Sequence, residues 1–464
     1  MSESGKGNET TKQLAHYAKL SARASKISPR EYLKYDVKRG LRNANGTGVN
    51  VGVTRISSVT GYRTEGEKVI PEPGKMYYRG IDVEELVAGL DTDVHTGYEE
   101  VVYLLLFDEL PTWPELREFE SYLNDERHLP ENFKENVILN QPSNNIMNYL
   151  QRMILALYSY SEDPENTSPE SLLKKGLQIL AKMPTMIAYG YMAQQHYYNN
   201  QSLVLHAPIY ASSAENILHM VRQDTQYTAE EARLLDLLLV VHAEHGGGNN
   251  SAFTTNVISS SGTDIFSTIS AAVGSLKGVK HGGANLKATK MIDDILEHVS
   301  DPRSDAEIET YLRRVLDGKA FDRSGIIYGM GHAVYTLSDP RAQLLKRGLE
   351  KLAQNNPRSL ARLHVAQRVE AITRQLMKEK KGSDFEICAN IDLYSGIVYQ
   401  MLNIPPTLYT PIFAAARIAG WLAHILEQTS DGKIMRPAYI ALQEDAQYIP
   451  ISERKRGGHN HDLR

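Results

Sequence analysis

Apolar residues recur every three or four positions through most of the chain, which is the spacing that places them on one face of an α-helix. Helical patterns of this kind follow one another from residue 97 to residue 384, and strand-like alternation is scarce after residue 70. Within this region, residues 168–192 predict two helices with a break before Pro184, because proline removes a helical hydrogen bond. The pattern therefore predicts a mainly α protein.

One helix in this series is predicted to be central. A capping box formed by Thr228 and Glu231 begins it, and residues 234–241 are apolar all round apart from Asp236. A helix without a polar face is stable only when other elements surround it. We therefore expect a buried helical core around this segment.

The length and composition are typical of a two-domain globular protein. At 464 residues the chain is longer than a single hydrophobic core usually supports. Its 42% hydrophobic and 23% charged residues are ordinary for a soluble protein. A net charge of −5 gives no long-range attraction to nucleic acid or anionic membranes, and no run of 18 apolar residues is present. The first residues show no apolar leader pattern, so we expect a cytoplasmic location without nucleic-acid or membrane partners.

Four separated segments carry polar residues where packing alone would not require them. In the segment 325–341, His332 stands in a glycine-flanked turn and Arg341 opens a predicted helix nine residues later. Gly329 and Gly331 would let the backbone approach a ligand closely. A guanidinium held by a helix suits a carboxylate or a phosphate. The segment predicts a proton donor beside an anion clamp; the alternative is a turn with a surface histidine and a surface arginine.

The second segment is His242-Ala-Glu244-His245, at the end of the predicted central helix. Two histidines at this spacing are candidate metal ligands, but a metal site would need a third ligand. At a helix C-terminus the dipole would favour positively charged histidines, which suits binding of an anion. A capped helix with solvated histidines remains the alternative.

The third and fourth segments each contain one candidate catalytic residue. His281 lies just before a helix predicted to begin near Ala284. A helix N-terminus disfavours imidazolium, so His281 would be a neutral N–H donor suited to a developing enolate oxygen. Asp392 stands between apolar residues of the segment 388–398. It is either a helix N-cap or a partly desolvated base with a raised pKa.

Arginines add the capacity to bind an anion. Arg417 shares one face of a predicted helix with Phe413, Trp421 and His424, and a buried arginine requires a partner such as a carboxylate. Arg436 is less informative by itself. A base, two histidines and arginines together indicate carbon–carbon bond formation between a carboxylate-rich electrophile and an acyl-CoA. No Walker loop, GxGxxG motif or metal-ligand cluster competes with this interpretation.

These segments, in this order, resemble the citrate synthase family over about residues 74–442. The motifs that carry the resemblance are His-Ala-Glu-His with Gly-Gly-Asn-Asn-Ser, Lys-His-Gly-Gly-Ala-Asn, Gly-Met-Gly-His-Ala-Val-Tyr with Asp-Pro-Arg, and Asn-Ile-Asp-Leu-Tyr-Ser-Gly. Each motif alone is weak, but the ordered set is highly specific. The resemblance implies a mainly α, multi-helix homodimer. Each subunit would have a large helical domain (1–280 and 399–464) and a smaller, mobile, inserted helical domain (281–398).

The resemblance also implies the reaction. Acetyl-CoA and oxaloacetate would condense to citryl-CoA, which is then hydrolysed to citrate and CoA, with no metal and no further cofactor. Asp392 would abstract the methyl proton and His281 would stabilise the enolate. His332 would donate a hydrogen bond to the ketone of oxaloacetate.

Two further groups of residues follow from the resemblance. The oxaloacetate carboxylates would be held by His245, Arg341, Arg417 and Arg436, the last of these supplied by the partner subunit. The adenine of CoA would meet backbone near Ile327 and Gly329, and the candidates for its phosphates are Lys277 and Lys280. The phosphate contacts stay open, because Ala333 and Thr336 stand where many bacterial family members carry basic residues.

Three alternatives are left by the sequence. Some family members are 2-methylcitrate synthases that use propionyl-CoA, and these motifs do not separate the two activities. The chain could also be a catalytically lapsed paralogue that binds CoA or acts as a dimeric scaffold, although the presence of Asp392, His281 and His332 together argues against it. A metal-dependent hydrolase that uses His242 and His245 is the third.

Overall fold

The computed structural model describes residues 3–66, 68–90, 96–443 and 445–454. Within them the chain forms seventeen α-helices and three β-strands, so the predicted mainly α, multi-helix class is confirmed. The helices of the first half are α1 (Glu3–Ala24), α2 (Pro29–Lys34), α3 (Val83–Gly89), α4 (Gly97–Phe107), α5 (Trp113–Asp125), α6 (Ile146–Leu157), α7 (Pro169–Asn199), α8 (Ser213–Val221) and α9 (Ala229–His242). Those of the second half are α10 (Asn250–Ser259), α11 (Ile265–Leu276), α12 (Ala284–His298), α13 (Asp305–Leu316), α14 (Pro340–Leu352), α15 (Pro357–Lys381), α16 (Ile391–Met401) and α17 (Tyr409–Asp431).

The chain divides into two compact units. One is built from the two ends of the chain, Met1–Ala44 and Arg436–Arg464, and contains α1 and α2. The other, Asn45–Met435, contains the remaining helices and the strands. The division of the chain into a large domain and a mobile domain of residues 281–398 stays a prediction. No helix in the described part of the chain is both long and apolar enough to cross a membrane.

The core of the larger unit is built around α9 and α17. The capping box of Thr228 and Glu231 at the start of α9 is present as predicted, and most of the residues that follow are buried. Helix α9 packs against α4, α8 and α17. Its last residue, His242, accepts a hydrogen bond from Nε of Arg417 at 2.6 Å through its carbonyl oxygen. The end of the central helix is therefore joined directly to the middle of α17.

The predicted break before Pro184 is wrong, because α7 is one helix of 31 residues with that proline inside it. Proline in a helix interior leaves one carbonyl without its usual donor and costs about 3 kcal/mol. The residues on both sides of Pro184 are buried, and α7 packs against α17, α8 and α6. Burial of this long apolar surface outweighs the local cost of the proline.

A small antiparallel sheet supports one of the chemistry-bearing loops. Its strands are β1 (Ser57–Glu65), β2 (Lys68–Tyr78) and β3 (Ile81–Asp82), in the order β1-β2-β3. The backbone N–H of Gly74 in β2 donates to Oγ of Ser338 at 3.0 Å, and a Cβ at position 74 would lie 2.1 Å from the Ser338 carbonyl oxygen. The loop that follows His332 therefore rests directly on the backbone of this hairpin.

Candidate active site

The segments singled out from the sequence meet at the ends of helices in the larger unit. The turn of His245 follows α9, and His281 lies between α11 and α12. His332 precedes α14, whereas Asp392 is in the first turn of α16. The charge of Arg341 acts on both His245 and Asp392, and the charge of Arg417 acts on His245. The four segments therefore face a common region.

His245 and His332 are in direct contact. Their Nε2 atoms lie 3.0 Å apart. The backbone N–H groups of Val334 and Tyr335 donate to Nδ1 of His332 at 3.1 and 3.2 Å. Because Nδ1 is thus an acceptor, the ring proton of His332 lies on Nε2. Nε2 of His245 accepts a hydrogen bond from this N–H group. His245 then carries its own proton on Nδ1, a buried atom without a hydrogen-bond partner among the described residues.

Both histidines of the second segment are held neutral. Burial, followed by the charges of Arg341, His332 and Arg417, lowers the pKa of His245 well below its usual value. Burial also lowers the pKa of His242 to about 3. The expectation that the helix dipole would favour positively charged histidines here is wrong, because desolvation and two nearby cations are stronger than the partial charge of a helix end.

The metal-hydrolase alternative gains no support from the geometry. In the part of the chain that is described, no third histidine, cysteine or carboxylate ligand groups with His242 and His245. The one group of three candidate ligands there lies on α12 and consists of Asp294, Glu297 and His298.

His281 lies before α12, which begins at Ala284 as predicted. Burial, together with the charge of Arg417, lowers its pKa to about 4, so the ring is neutral at physiological pH. Its Nε2 is 3.1 Å from Oγ of Ser251. Trp421 donates to the same Oγ through Nε1, also at 3.1 Å. The Ser251 hydroxyl donates to Oδ1 of Asn249 at 2.9 Å. Because Nε2 of His281 is occupied by Ser251, Nδ1 is the ring nitrogen that is left for a substrate.

Asp392 is not the cap of helix α16. The N-cap of α16 is Asn390, whose side chain accepts a hydrogen bond from the Asp392 N–H at 3.0 Å. Burial raises the pKa of the Asp392 carboxyl to about 6, with the Arg341 charge opposing the rise and that of Asp339 supporting it. With this pKa the carboxyl is ionised at neutral pH. The pKa is also close enough to neutral pH for efficient proton transfer.

A short backbone bridge brings Asp392 close to the histidine loop. The N–H of Gly331 donates to the Cys388 carbonyl at 2.8 Å, and the Asn390 amide donates to the Gly331 carbonyl at 2.8 Å. The turn that carries His332 is thereby fixed beside the start of α16. Two segments about sixty residues apart in sequence form one rigid part of the site.

The glycine at position 329 serves this packing. Its φ is +80°, and a Cβ there would lie 2.8 Å from Cβ of Leu393. Close approach of α16 therefore explains the glycine without a ligand. Ile327 is also buried, whereas Lys277 and Lys280 are exposed in the turn after α11. Their CoA contacts stay predictions.

Arg341 is already paired in this structure. Asp339 caps α14 and accepts from the Arg341 backbone N–H, as the sequence predicts. Its carboxylate also receives Nε and Nη2 of the guanidinium at 3.0 and 2.7 Å. The bidentate edge of Arg341 thus binds the protein's own carboxylate, and Nη1 is the nitrogen left for a second anion.

Arg417 has a guanidinium group with two nitrogens that could bind an anion. Its side chain is fully buried, and apart from Nε, which donates to the His242 carbonyl, its nitrogens Nη1 and Nη2 have no hydrogen-bond partner in the described ranges. Burial lowers its pKa to about 10, with the charge of Glu244 opposing the fall. Buried donors are almost always paired, so two unpaired nitrogens of a buried arginine indicate a place for an anionic ligand.

Arg436 is exposed and belongs to the unit formed by the chain ends. Its assignment to the partner's site stays a prediction.

Sequence reasoning missed two side chains of the site, Tyr335 and Ser251. The ring of Tyr335 stacks on His332 with centroids 4.7 Å apart, and it lies 5.6 Å from His245. Its buried hydroxyl has no partner within the described part of the chain. The signal was its position three residues after His332. Ser251, two residues after Asn249 in the second segment, gave no comparable signal because its role depends on contact with His281.

Known proteins are similar to this chain in sequence. A family model described as "Citrate synthase, C-terminal domain" matches residues 43–438. The citrate synthase of Synechocystis sp. is 32% identical over 408 residues, which cover 88% of this chain and 92% of that protein. The 2-methylcitrate synthase 1 of Corynebacterium glutamicum is 31% identical over 407 residues, covering 86% and 97%.

A solved structure shows the same fold. Citrate synthase from the archaeon Thermoplasma acidophilum, in ternary complex with carboxymethyl coenzyme A and oxaloacetate, superposes with a TM-score of 0.71 at 26% identity, covering 90% of this chain and 99% of that one. The fold and these matches define a helical enzyme of the transferase type. The chain belongs to the citrate synthase family.

Proposed function

We propose that the protein condenses acetyl-CoA with oxaloacetate and hydrolyses the resulting citryl-CoA to citrate and CoA. The observation that carries the proposal is the convergence of a carboxylate of raised pKa, Asp392, with neutral histidines and with Arg417, whose two terminal nitrogens have no partner in the described residues. This set matches the needs of carbon-acid chemistry on a dicarboxylate electrophile. The Thermoplasma acidophilum relative, solved with oxaloacetate and a CoA analogue, supports the same substrates.

The condensation uses three residues of the chain. Asp392 takes a proton from the methyl group of acetyl-CoA. His281 donates a hydrogen bond to the enolate oxygen through Nδ1, the ring nitrogen that does not face Ser251, with the Ser251 hydroxyl turned from Asn249 to Nε2. The enolate carbon attacks the ketone carbon of oxaloacetate. The ketone oxygen accepts a hydrogen bond from the Nε2–H group of His332. Since that N–H donates to His245 in this structure, a bound ketone would take over the bond. Water then cleaves the citryl thioester and releases CoA.

Initial rates of CoA release test the proposal directly. Acetyl-, propionyl- and butyryl-CoA are each supplied with oxaloacetate, and free thiol is measured. We expect acetyl-CoA to react fastest. Propionyl-CoA is the second candidate, because a 2-methylcitrate synthase is among the relatives at nearly the same identity. A chain that releases no thiol from any of the three would be a lapsed paralogue.

The rate should depend on pH through Asp392. Because its pKa is raised to about 6, the carboxyl is protonated below that pH and cannot act as a base. The pKa of His281 lies at about 4, so this histidine stays neutral above pH 5 and causes no second change in the pH dependence of kcat/KM. We expect kcat/KM to be level near neutral pH and to fall about tenfold per unit below pH 6. A profile that stays level down to pH 5 would contradict the assignment.

We also propose that residues 281–398 move relative to the rest of the subunit. His332 and Arg341 would lie on the mobile domain, and His245 and Arg417 on the large one. Oxaloacetate that contacts both sides would favour closure and complete the acyl-CoA site. Acetyl-CoA, or a non-reactive analogue, should bind about tenfold more tightly when oxaloacetate is present. Equal affinities with and without oxaloacetate, measured by calorimetry, would refute the coupling.

Finally, we propose a homodimer in which each site receives Arg436 from the partner subunit. The exposure of Arg436 and its position after α17 support an arm that extends beyond the subunit. In a two-fold dimer such an exchange is reciprocal. Mixed dimers of Asp392→Asn and Arg436→Ala subunits provide the test. One site would carry both lesions and the other neither, so we expect about half the wild-type rate per dimer. Activity no higher than in the parent variants would show that Arg436 serves its own subunit.

A further inference from the structure

Glu244 is a buried carboxylate that the proposed reaction does not use. Its exposed fraction is 0%. Oε1 accepts three hydrogen bonds, from Oγ of Ser57 at 2.9 Å, from Nε2 of His424 at 3.1 Å and from the backbone N–H of Gly246. Oε2 has no hydrogen-bond partner in the described part of the protein. So many contacts on one buried oxygen place this residue at a structural junction.

The three partners belong to elements that form the dicarboxylate subsite or support it. Gly246 directly follows His245, and His424 lies on α17 seven residues after Arg417. Ser57 is the first residue of β1. Glu244 thus connects the turn of one substrate donor with the helix of the other.

Helix α17 and this turn also touch through their backbones. The N–H of Gly420 donates to the Ala243 carbonyl at 3.1 Å. A Cβ at position 420 would lie 2.0 Å from Oε2 of Glu244 and 2.7 Å from the Ala243 oxygen. The helix therefore packs against the turn at a distance that only glycine permits.

The charges around Glu244 keep it ionised. Burial by itself would raise its pKa, but His424, Arg417 and Ser57 outweigh burial and lower the pKa to about 2. In return the Glu244 charge raises the pKa of His424 against the effect of burial, and Glu427 lies 4.0 Å from Nδ1 of His424. Glu244 and His424 therefore form a buried hydrogen-bonded pair, and the charge of Arg417 acts on both of them.

We propose that Glu244 is a positioning residue for dicarboxylate binding, which fastens the turn of His245 to the helix of Arg417 so that both donors face one substrate. The inference rests on the proposed function, since the ligand is the dicarboxylate of that reaction. It assigns Glu244 no contact with the substrate. Its effect is on the geometry of two groups that do make contact.

A second buried glutamate provides a matched control. Oε1 of Glu99 accepts the backbone N–H of Ser213 at 2.7 Å and lies 3.5 Å from Nη2 of Arg127. Its exposed fraction is 1%, and its Oε2 also lacks a partner in the described ranges. Glu99 and Glu244 share burial, a backbone bond and a cation, but Glu99 bonds to none of the site residues.

The test compares Glu244→Ala, Glu244→Gln and Glu99→Ala in the full chain. We expect Glu244→Ala to raise both KM and Kd for oxaloacetate about 10- to 100-fold, the range found when groups that orient ligand-contacting residues are removed. The KM for acetyl-CoA at saturating oxaloacetate should change less than about twofold. Glutamine retains acceptors for Ser57 and Gly246, so it should recover most of the affinity. Glu99→Ala should lower the melting temperature and leave the oxaloacetate KM near wild type.

The outcomes separate this inference from the proposed function. A wild-type chain that releases no CoA refutes the function, and the calorimetric Kd for oxaloacetate still decides the role of Glu244. An active enzyme whose Glu244→Ala variant keeps the oxaloacetate KM within about twofold overturns the inference. So does a Glu244→Ala variant that raises the KM values of both substrates to the same extent and lowers the melting temperature as Glu99→Ala does. If Glu244→Ala does not fold, Ser57→Ala removes one of the three bonds, and it should raise the oxaloacetate KM by about threefold. An unchanged KM in that variant would overturn the inference as well.

Discussion

Replacing Asp392 with asparagine should lower kcat about 10²- to 10⁴-fold, the usual contribution of a positioned acid–base group. Asparagine has nearly the same shape but cannot accept a proton from a carbon acid. Helix α16 should survive the change, because its cap is Asn390 and not Asp392. The proposed dicarboxylate subsite consists of other residues, so oxaloacetate should still bind.

Turnover and oxaloacetate affinity are measured separately, the first by thiol release and the second by calorimetry. The control is Asp264→Asn, which changes a capping aspartate at the start of α11 to another residue that caps well. This variant should retain both affinity and turnover. More than about half of wild-type turnover in Asp392→Asn would show that this carboxylate is not the base.

Replacing Arg417 with methionine should raise the KM for oxaloacetate roughly 100-fold or more, because loss of one partner from a buried charge pair costs several kcal/mol. The ligand-free protein should change little in stability, because the loss of the Nε bond to the His242 carbonyl is offset by the removal of two buried donors. Burial of an arginine whose Nη1 and Nη2 have no partner in the described residues is unfavourable, and methionine removes that cost. The variant would thus separate substrate binding from stability.

Melting temperatures with and without oxaloacetate measure this effect. A ligand that binds only the folded state raises the melting temperature of the wild type, and the rise should disappear in Arg417→Met. Arg127→Met is the matched control. Arg127 is equally buried, but its nitrogens donate to Asn124, Ser213 and the Ala211 carbonyl. That variant should lose stability and keep its response to oxaloacetate. A large ligand-induced shift in Arg417→Met would refute the assignment.

Local features of the fold could be predicted from the sequence. The capping box of Thr228 and Glu231, the Asp339 cap of α14 and the start of α12 at Ala284 are all present. The two caps depend on hydrogen bonds between residues only a few positions apart, and such bonds form largely independently of the tertiary context. The order of the motifs also indicated the family, since each motif can be read without knowing its neighbours in space.

The same reasoning failed where distant packing outweighed a local rule. Pro184 interrupts the helical pattern, yet α7 continues through it because both flanks are buried. The packing of Leu393 against Gly329 was likewise not apparent from the sequence, and the predicted contact of Gly329 with CoA stays a prediction.

The charge states of the site were decided by tertiary structure. His245 was expected to be positive from its place after a helix, but burial and arginines more than ninety residues away in sequence lower its pKa. For Asp392, the alternative of a helix cap was excluded only when Asn390 was seen to cap the helix. The pairing of Arg341 with Asp339 and the junction at Glu244 were likewise not apparent from the chain. The sequence determined which residue types were present and where helices begin. Only the folded chain determined their protonation and their partners, because desolvation and Coulomb energies depend on distances in space and not on separation along the chain.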